Sequence, residues 1–505
     1  MGETKQRVAM MNNFTVIEEP ALEFWNGQRM HHPRDGLTLF GPYDSKGIER
    51  PKQITYALFG TNAGVNLFQL FSAAMQRPIL TDTDMDERLW AHYPGFEEAF
   101  HTTLSNEPAW IGVVDEQRLK AAVSHNDEHA RVYSVVNLYL DTMRVAKKRD
   151  ETFHVFVCVV PDIVYANCRP RSHIKDGIGQ KIGWHQRKRR EVMTDFFDTY
   201  DPYQYTYSVD FRRQIKARVM ELGVPIQIIR ESTLRLSAAQ VGERGLTPLS
   251  DRAWNLSTAM YYKAGGKPWR LSTARDGVCY VGIAFKDTED RGRNACGAAQ
   301  MFLDDGDGVV FMGDEGPWYS QRKGDYHLSR EAAKKLLQGV LKTYAELHGK
   351  PLTEIFLHCR SSINEEEFAG YSDACPLGTK LVAIRVAPER QGMRVYRKGT
   401  RPVLRGSLWQ INDRRGFLWG SGFKPRLRTY DGSEVPLPLC IEIQHGEPDL
   451  EQVAKDILGL SKLNYNCCKL GEHQPVTVHF SGAVGEILVS NKNVRTILPN
   501  FKYYI

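Results

Sequence analysis

The segment Val155–Val160 constrains the fold more than any other stretch of the chain. It is a continuous apolar, β-branched run, broken off by Pro161. A run this short and apolar fits a parallel strand covered on both faces, because a half-exposed strand would alternate with polar residues. Residues 211–222, FRRQIKARVMEL, place Phe211, Ile215, Val219 and Leu222 at helical spacing, and Gly223 follows as a stop. Residues 225–229, PIQII, then read as a second buried strand. Strand, helix and strand of these lengths imply an α/β layer.

Further signals extend the pattern. GLTLFGP at 36–42 reads as a short strand ending in a turn. A break falls near 264–268, AGGKP. Beyond it come a strand at 279–285, CYVGIAF, and two strands at 298–303 and 309–312 around the turn 304–308, DDGDG. A long helix over 329–348, a strand at 354–358, several short strands between 380 and 445 and a helix at 450–463 follow. These elements predict a second α/β domain from about residue 275 to the end. A chain of 505 residues has room for two to four domains and a sizeable core.

Composition narrows the function classes. A net charge of +6 permits a polyanionic partner without requiring one. No apolar run reaches the roughly 18 residues that a membrane helix needs, and the N-terminus lacks a signal-peptide core. The nine cysteines contain no C-x-x-C pair, and the adjacent Cys467 and Cys468 are badly spaced for zinc, so reduced thiols in a cytoplasm are expected.

Several clusters carry more than one reading. DDGDG does not keep the register of a calcium loop and has no Glu at its twelfth position, so it is read as a hairpin turn. The basic run 181–190, KIGWHQRKRR, fits a solvated loop or a nucleic-acid contact in which Trp184 and His185 supply stacking surfaces. Arg212 and Lys216 stand at i and i+4 near a helix start, with Gln227 on the next strand and Lys263 downstream. That pattern is a solvated face or a phosphate pocket. The apolar tail Phe501-Lys502-Tyr503-Tyr504-Ile505 should pack, which would fix the Ile505 carboxylate where it can hold a divalent cation; the plainer alternative is a final strand with nothing bound.

Six stretches in order carry a resemblance to one family: 211–234, 258–271, 279–285, 460–468, 475–488 and 501–505. Together with VIEEPALEF and PRDGLTLFGP upstream, they resemble a short prokaryotic Argonaute. The resemblance implies a leader over residues 1–37, a Rossmann-like MID domain over 38–274 and an RNase H-like PIWI domain over 275–505, without N and PAZ domains. It further implies that Arg212, Lys216, Gln227 and Lys263 bind a guide 5′-phosphate, and that Mg²⁺ links this phosphate to Gln227 and the Ile505 carboxylate. Arg212 departs from the family's Tyr or His, which keeps a phosphate donor but removes a ring for the first guide base.

At the family's catalytic positions the chain has Ala284, Ser361 and Gly482. Asp287, Glu315, Glu365 and Glu366 lie near in sequence but off the matching positions. Two divalent ions need carboxylates to offset their repulsion, so the expectation is a binding platform rather than a nuclease. The function implied is guide-RNA-directed recognition of complementary single-stranded DNA, coupled in a heterodimer to an APAZ-domain effector, a TIR or sirtuin-type NADase, for abortive infection. The alternatives are an active guide-directed nuclease and a stand-alone nucleic-acid-binding protein.

Overall fold

The computed structural model describes every residue except 1–12, 49, 82–87, 150, 171, 176–177, 182–208, 238–246, 288–294, 303–307, 317–326, 348–350, 390–391, 431, 433, 489 and 491–495. The basic run from residue 182 and most of the DDGDG turn fall outside the described residues.

The first unit is built on a parallel sheet of four strands: β1 (Tyr56–Gly60), β2 (Trp110–Val113), β3 (Val155–Val160) and β4 (Ile226–Arg230), in the order β4-β3-β1-β2. The apolar run at 155–160 is explained by its two covers. Phe156, Cys158 and Val160 face helices α2 (Glu128–Lys147) and α3 (Phe211–Val219), while Val157 and Val159 face the cluster holding α1 (Asn62–Met75) and α4 (Leu249–Lys263). All six residues are buried, and each large apolar side chain so buried contributes about 1.5–3 kcal/mol. Helix α3 starts where Asp210 accepts from the Arg213 N–H at 3.0 Å, and its last turn tightens into a 3-10 segment that ends at Gly223, with φ of 66°.

The expected strand at 36–42 is a helix, Pro33–Phe40. Proline occupies the first turn, His32 Nδ1 accepts from the Arg34 N–H at 3.2 Å, and Gly36 lies so close to the Phe24 ring that a Cβ would sit 2.1 Å from it. Arg34 then reaches the Cys468 carbonyl at 2.8 Å and pairs with buried Asp251. Those distant partners favour the helix over the expected strand.

The second unit holds a nine-stranded sheet. Strands β5 (Val278–Asp287), β6 (Ala295–Phe302) and β7 (Gly308–Gly316) form an antiparallel meander, and β8 (Glu354–Cys359) and β9 (Lys380–Pro388) run parallel to β5. Reading across, β7-β6-β5-β8-β9 is the 3-2-1-4-5 order of an RNase H-like sheet. The sheet continues through β12 (Leu439–His445), β11 (Arg415–Leu418) and β10 (Ser407–Asn412), each paired in antiparallel register. The short strand Phe14–Val16 closes that edge, with Phe14 opposite Trp409. Helices α5 (Arg330–Leu347) and α6 (Glu365–Ala374) cover one face, and α7 (Leu450–Leu460) and α8 (Val476–Leu488) pack on the other. Helix α8 is pressed onto β5: a Cβ on Gly282 would lie 2.0 Å from the Thr477 carbonyl oxygen.

Residues 14–23 bind both units together. Leu22–Glu23 pairs with Arg270–Leu271. Glu19 Oε2 accepts from Arg405 Nε at 2.9 Å, and Lys462 Nζ stands 3.0 Å from Glu19 Oε1. Burial alone would raise the Glu19 pKa, but the two cations outweigh it and hold the carboxyl down at about 2.

Candidate functional site

Three cationic side chains converge where α3, α4 and β4 meet the end of the chain. Lys216 lies in the second turn of α3, is 3% exposed, and its Nζ donates to the Tyr504 carbonyl at 2.9 Å. Lys263 is the last residue of α4, is 2% exposed, and donates to Gln227 Oε1 on β4. Arg212 opens the same face of α3 and is solvent-exposed, and its charge acts on both lysines. Burial, then Arg212 and Lys263, hold the Lys216 ammonium well below the ordinary lysine range. Burial, then Arg212, bring Lys263 down to about 7.

The tail supplies the floor. Phe501, Tyr504 and Ile505 are each 1% exposed. Phe501–Tyr503 form a 3-10 turn, not a final strand, and Phe501 packs edge-on against Phe302 and Phe480 at 5.2 and 5.1 Å. Helix α3 is locked to the second unit from the other side: Arg213 pairs with Glu486 at 2.8 Å, and Gln214 Nε2 donates to the Ser490 carbonyl at 2.7 Å. The five residues singled out in the sequence therefore lie around one spot, although 293 positions separate Arg212 from Ile505 (505 − 212).

Two buried lysines and an arginine gather there, and among the described residues no carboxylate side chain acts on the two lysines, an arrangement that can receive an anion. A lone divalent cation would be repelled there. The oxygen donors Gln227 Oε1 and the Ile505 carboxylate fit Mg²⁺ only when it arrives with an anion that outweighs the positive charge of the cluster. Held there by Gln227 and the Ile505 carboxylate, it would supply positive charge between two anions.

The second sequence-derived locus is the sheet face under α8. Ala284 stands on β5 opposite Ala298, one residue beyond the Ile283–Cys359 pair. Ser361 follows the end of β8, and its Oγ lies 3.1 Å from Cys359 Sγ. Gly482 is inside α8, the helix that crosses β5. Ala284 and Ser361 thus lie on the neighbouring strands β5 and β8, and Gly482 on the helix packed over them. Around them the polar groups are Arg360, which donates to Gln474 Oε1 at 2.9 Å, and buried His358, which meets Thr477 Oγ1 at 2.9 Å and is pushed by burial down to about 3. Glu365 is on α6 and 94% exposed, and Glu366 follows it in the same first turn. The backbones of Asp287 and Glu315 lie in β5 and β7. Among the described residues, no group of three His, Cys, Asp or Glu is arranged to hold a metal.

Clostridium butyricum Argonaute bound to a guide DNA and a 19-mer target DNA superposes with a TM-score of 0.59 at 16% identity, over 97% of this chain and 55% of that one. A structure titled Aa-Ago with externally bound siRNA gives 0.56 at 14% identity, over 97% and 56%. A. aeolicus Argonaute gives 0.52 at 14%, over 95% and 53%. The fold is Argonaute-like. In fold the first unit is MID-like and the second is RNase H-like, as in a PIWI domain. The chain spans about half the length of the structures it matches. No family model matches the sequence, and no curated protein matches it.

Sequence reasoning missed the Glu19–Arg405–Lys462 cluster, whose members are too far apart for any spacing rule. The strand expected to be buried at 225–229 is an edge strand, with Gln227 and Ile228 only half-buried.

Proposed function

We propose that this chain binds the 5′-phosphate of a guide RNA in the Arg212–Lys216–Lys263–Gln227 pocket and uses the guide to recognise complementary single-stranded DNA. The observation that carries the reading is the pair of buried lysines on which, among the described residues, no carboxylate side chain acts. Burying unpaired cations costs stability unless an anion compensates, and a terminal phosphate with two charges is matched to that deficit. Mg²⁺ would enter with the phosphate, held by Gln227 and the Ile505 carboxylate, and would neutralise charge between the two anions. Base pairing supplies sequence specificity, so the protein need hold only backbone and shape.

In this reading Ala284, Ser361 and Gly482 leave the PIWI face a platform that does not cut. Target recognition is relayed to an APAZ-domain effector of TIR or sirtuin type, whose NADase activity produces abortive infection in the cytoplasm. Two measurements test it. Lys216→Ala should weaken a 5′-phosphorylated guide by about 1.5–3 kcal/mol, the range for hydrogen bonds to charged groups, and leave a 5′-hydroxyl guide nearly unchanged. Equal losses for both guides would make Lys216 a general backbone contact. Guide-matched DNA and RNA should stay intact with the purified chain in Mg²⁺ or Mn²⁺; guide-dependent cleavage that disappears on mutating Asp287 or Glu315 would establish the nuclease instead.

A further inference from the structure

The outer side of the Phe14–Val16 strand is an open edge of the nine-stranded sheet. Gln410 N–H donates to the Asn13 carbonyl and Ile17 N–H to the Gly406 carbonyl, each at 2.9 Å. The register sets Phe14 opposite Trp409 and Val16 opposite Ser407. Hydrogen-bonded pairs alternate with unbonded ones along an antiparallel ladder. Residues 13, 15 and 17 therefore bond inward, while the N–H and C=O groups of Phe14 and Val16 point away from β10. Those groups have no hydrogen-bond partner among the described residues.

The same alternation puts Phe14, Val16, Trp409 and Ile411 on one face, with the Phe417 ring 6.0 Å from Trp409. Phe14 is 38% exposed, Ile411 42% and Val16 53%. The opposite face is closed, since Leu408 and Leu418 belong to the main core. Open main-chain groups beside an apolar face are what an added strand requires.

The rim of this face is basic. Residues 393–403 pack on it through Met393, Val395 and Val403. They include Arg394, Arg397, Lys398 and Arg401 and no acidic residue. All four cations are exposed, and none pairs with a carboxylate among the described residues. Arg397 and Arg401 instead lie over the Phe423 ring, each 5.4 Å from its centroid.

Three kinds of occupant can be compared by chemistry. A phosphate backbone only accepts hydrogen bonds, so it leaves the outward carbonyls of Phe14 and Val16 unmet. A second copy of the chain brings the same basic rim against this one. An extended peptide donates and accepts along its length, and acidic residues in it match the rim. We propose that the Phe14–Val16 edge docks an acidic, extended segment of a partner protein, which adds a strand to the sheet and sets its apolar side chains on Phe14, Val16 and Ile411. The surface shares no residue with the cationic pocket, so it stands or falls apart from the phosphate reading.

The probe is a short labelled peptide in which valine and threonine alternate between paired terminal glutamates, titrated into the full chain by fluorescence anisotropy. One control peptide has lysines for the glutamates, and another is N-methylated at alternate residues, which blocks pairing on one edge. Val16→Pro removes an outward N–H and no ladder bond, a position where an edge strand tolerates proline. Arg394→Glu with Arg401→Glu reverses the rim. Labelled single-stranded DNA and sedimentation velocity cover the other two occupants, and thermal melting confirms folding. The expected result is saturable binding of the acidic peptide, about tenfold weaker after N-methylation, in Val16→Pro and in the rim variant, with the lysine peptide weaker still. Failure of the acidic peptide to bind would overturn the proposal, as would binding that N-methylation leaves unchanged. DNA binding lost in the rim variant while the acidic peptide does not bind would make this a nucleic-acid surface. A dimer that Val16→Pro dissolves would make it an interface between copies. If Val16→Pro does not fold, the methylated peptide against the parent decides whether a strand is added.

Discussion

Lys263 makes guide binding a proton-uptake reaction if the cationic pocket holds a 5′-phosphate. Burial and Arg212 bring its pKa to about 7 in the free protein, so about half of the molecules carry a neutral amine at pH 7. A terminal phosphate has its second pKa near 6 and is dianionic from pH 7 upward. Bound beside Lys263, it restores the ammonium and raises the pKa toward the ordinary lysine value. Binding above pH 7 then requires a proton from solvent. Affinity should fall by up to about 1.4 kcal/mol, or tenfold, per pH unit from Lys263 alone. Lys216 is depressed as well and adds to the slope.

The stability of the free protein moves the opposite way. A lysine whose folded pKa lies below its unfolded value binds fewer protons when folded, so stability rises with pH between about 7 and 10.5. Fluorescence anisotropy with phosphorylated and hydroxyl guides from pH 6.5 to 9 measures the first effect, and thermal melting without guide measures the second. Lys263→Met should flatten the phosphorylated-guide slope by up to one proton and raise the melting temperature near neutral pH. A slope shared by the hydroxyl guide, or one surviving intact in Lys263→Met, would refute the reasoning.

Three further outcomes are expected. Glu19→Gln should destabilise the chain at pH 7 by about 3 kcal/mol, because the carboxyl held at about 2 contributes stability that is present above the unfolded pKa of 4.5 and is lost as pH falls toward 2; denaturant melts should show the loss and a weaker acid transition between those values. Gln300 on β6 is fully buried opposite Gly282, and neither Nε2 nor Oε1 finds a partner among the described residues, so Gln300→Leu should raise stability by about 1–3 kcal/mol in the same assay; a lower stability would mean that the amide is satisfied by buried water. Removing Mg²⁺ with a chelator should weaken phosphorylated guide and leave hydroxyl guide unchanged; an equal response from both would place the ion elsewhere on the nucleic acid.

What the sequence disclosed depended on the range of the interaction. The strands at 155–160 and 226–230 and the helix between them were legible because their covers impose a local period on the apolar residues. The strand at 36–42 was misread because GLTLF alternates like a strand, while the deciding groups, Phe24, Asp251 and the Cys468 carbonyl, lie at other places in the chain. Spacing brought Arg212 and Lys216 together but gave no reason to join Lys263 or the tail, and only resemblance did so. That Phe501–Tyr503 would turn rather than extend was not visible, since the aromatic pockets formed by Phe302 and Phe480 exist only after folding.

The pairing of Phe14–Val16 with Ser407–Trp409 sets an order of events during synthesis. The early strand emerges almost 400 residues before its partner, and Glu19 waits still longer for Lys462 (462 − 19 = 443). Contacts of such separation form late, after the loop-closure entropy between them has been overcome. Until then the nascent chain carries an unpaired strand and an unopposed Glu19, and afterwards the open edge of Ser407–Asn412 and the buried Arg405 and Lys462 depend on that same segment. The PIWI-like domain expressed from residue 275 would therefore lack one strand and one buried counter-charge of its own structure. Residues 14–19 function as a closing strap that only the finished chain can fasten.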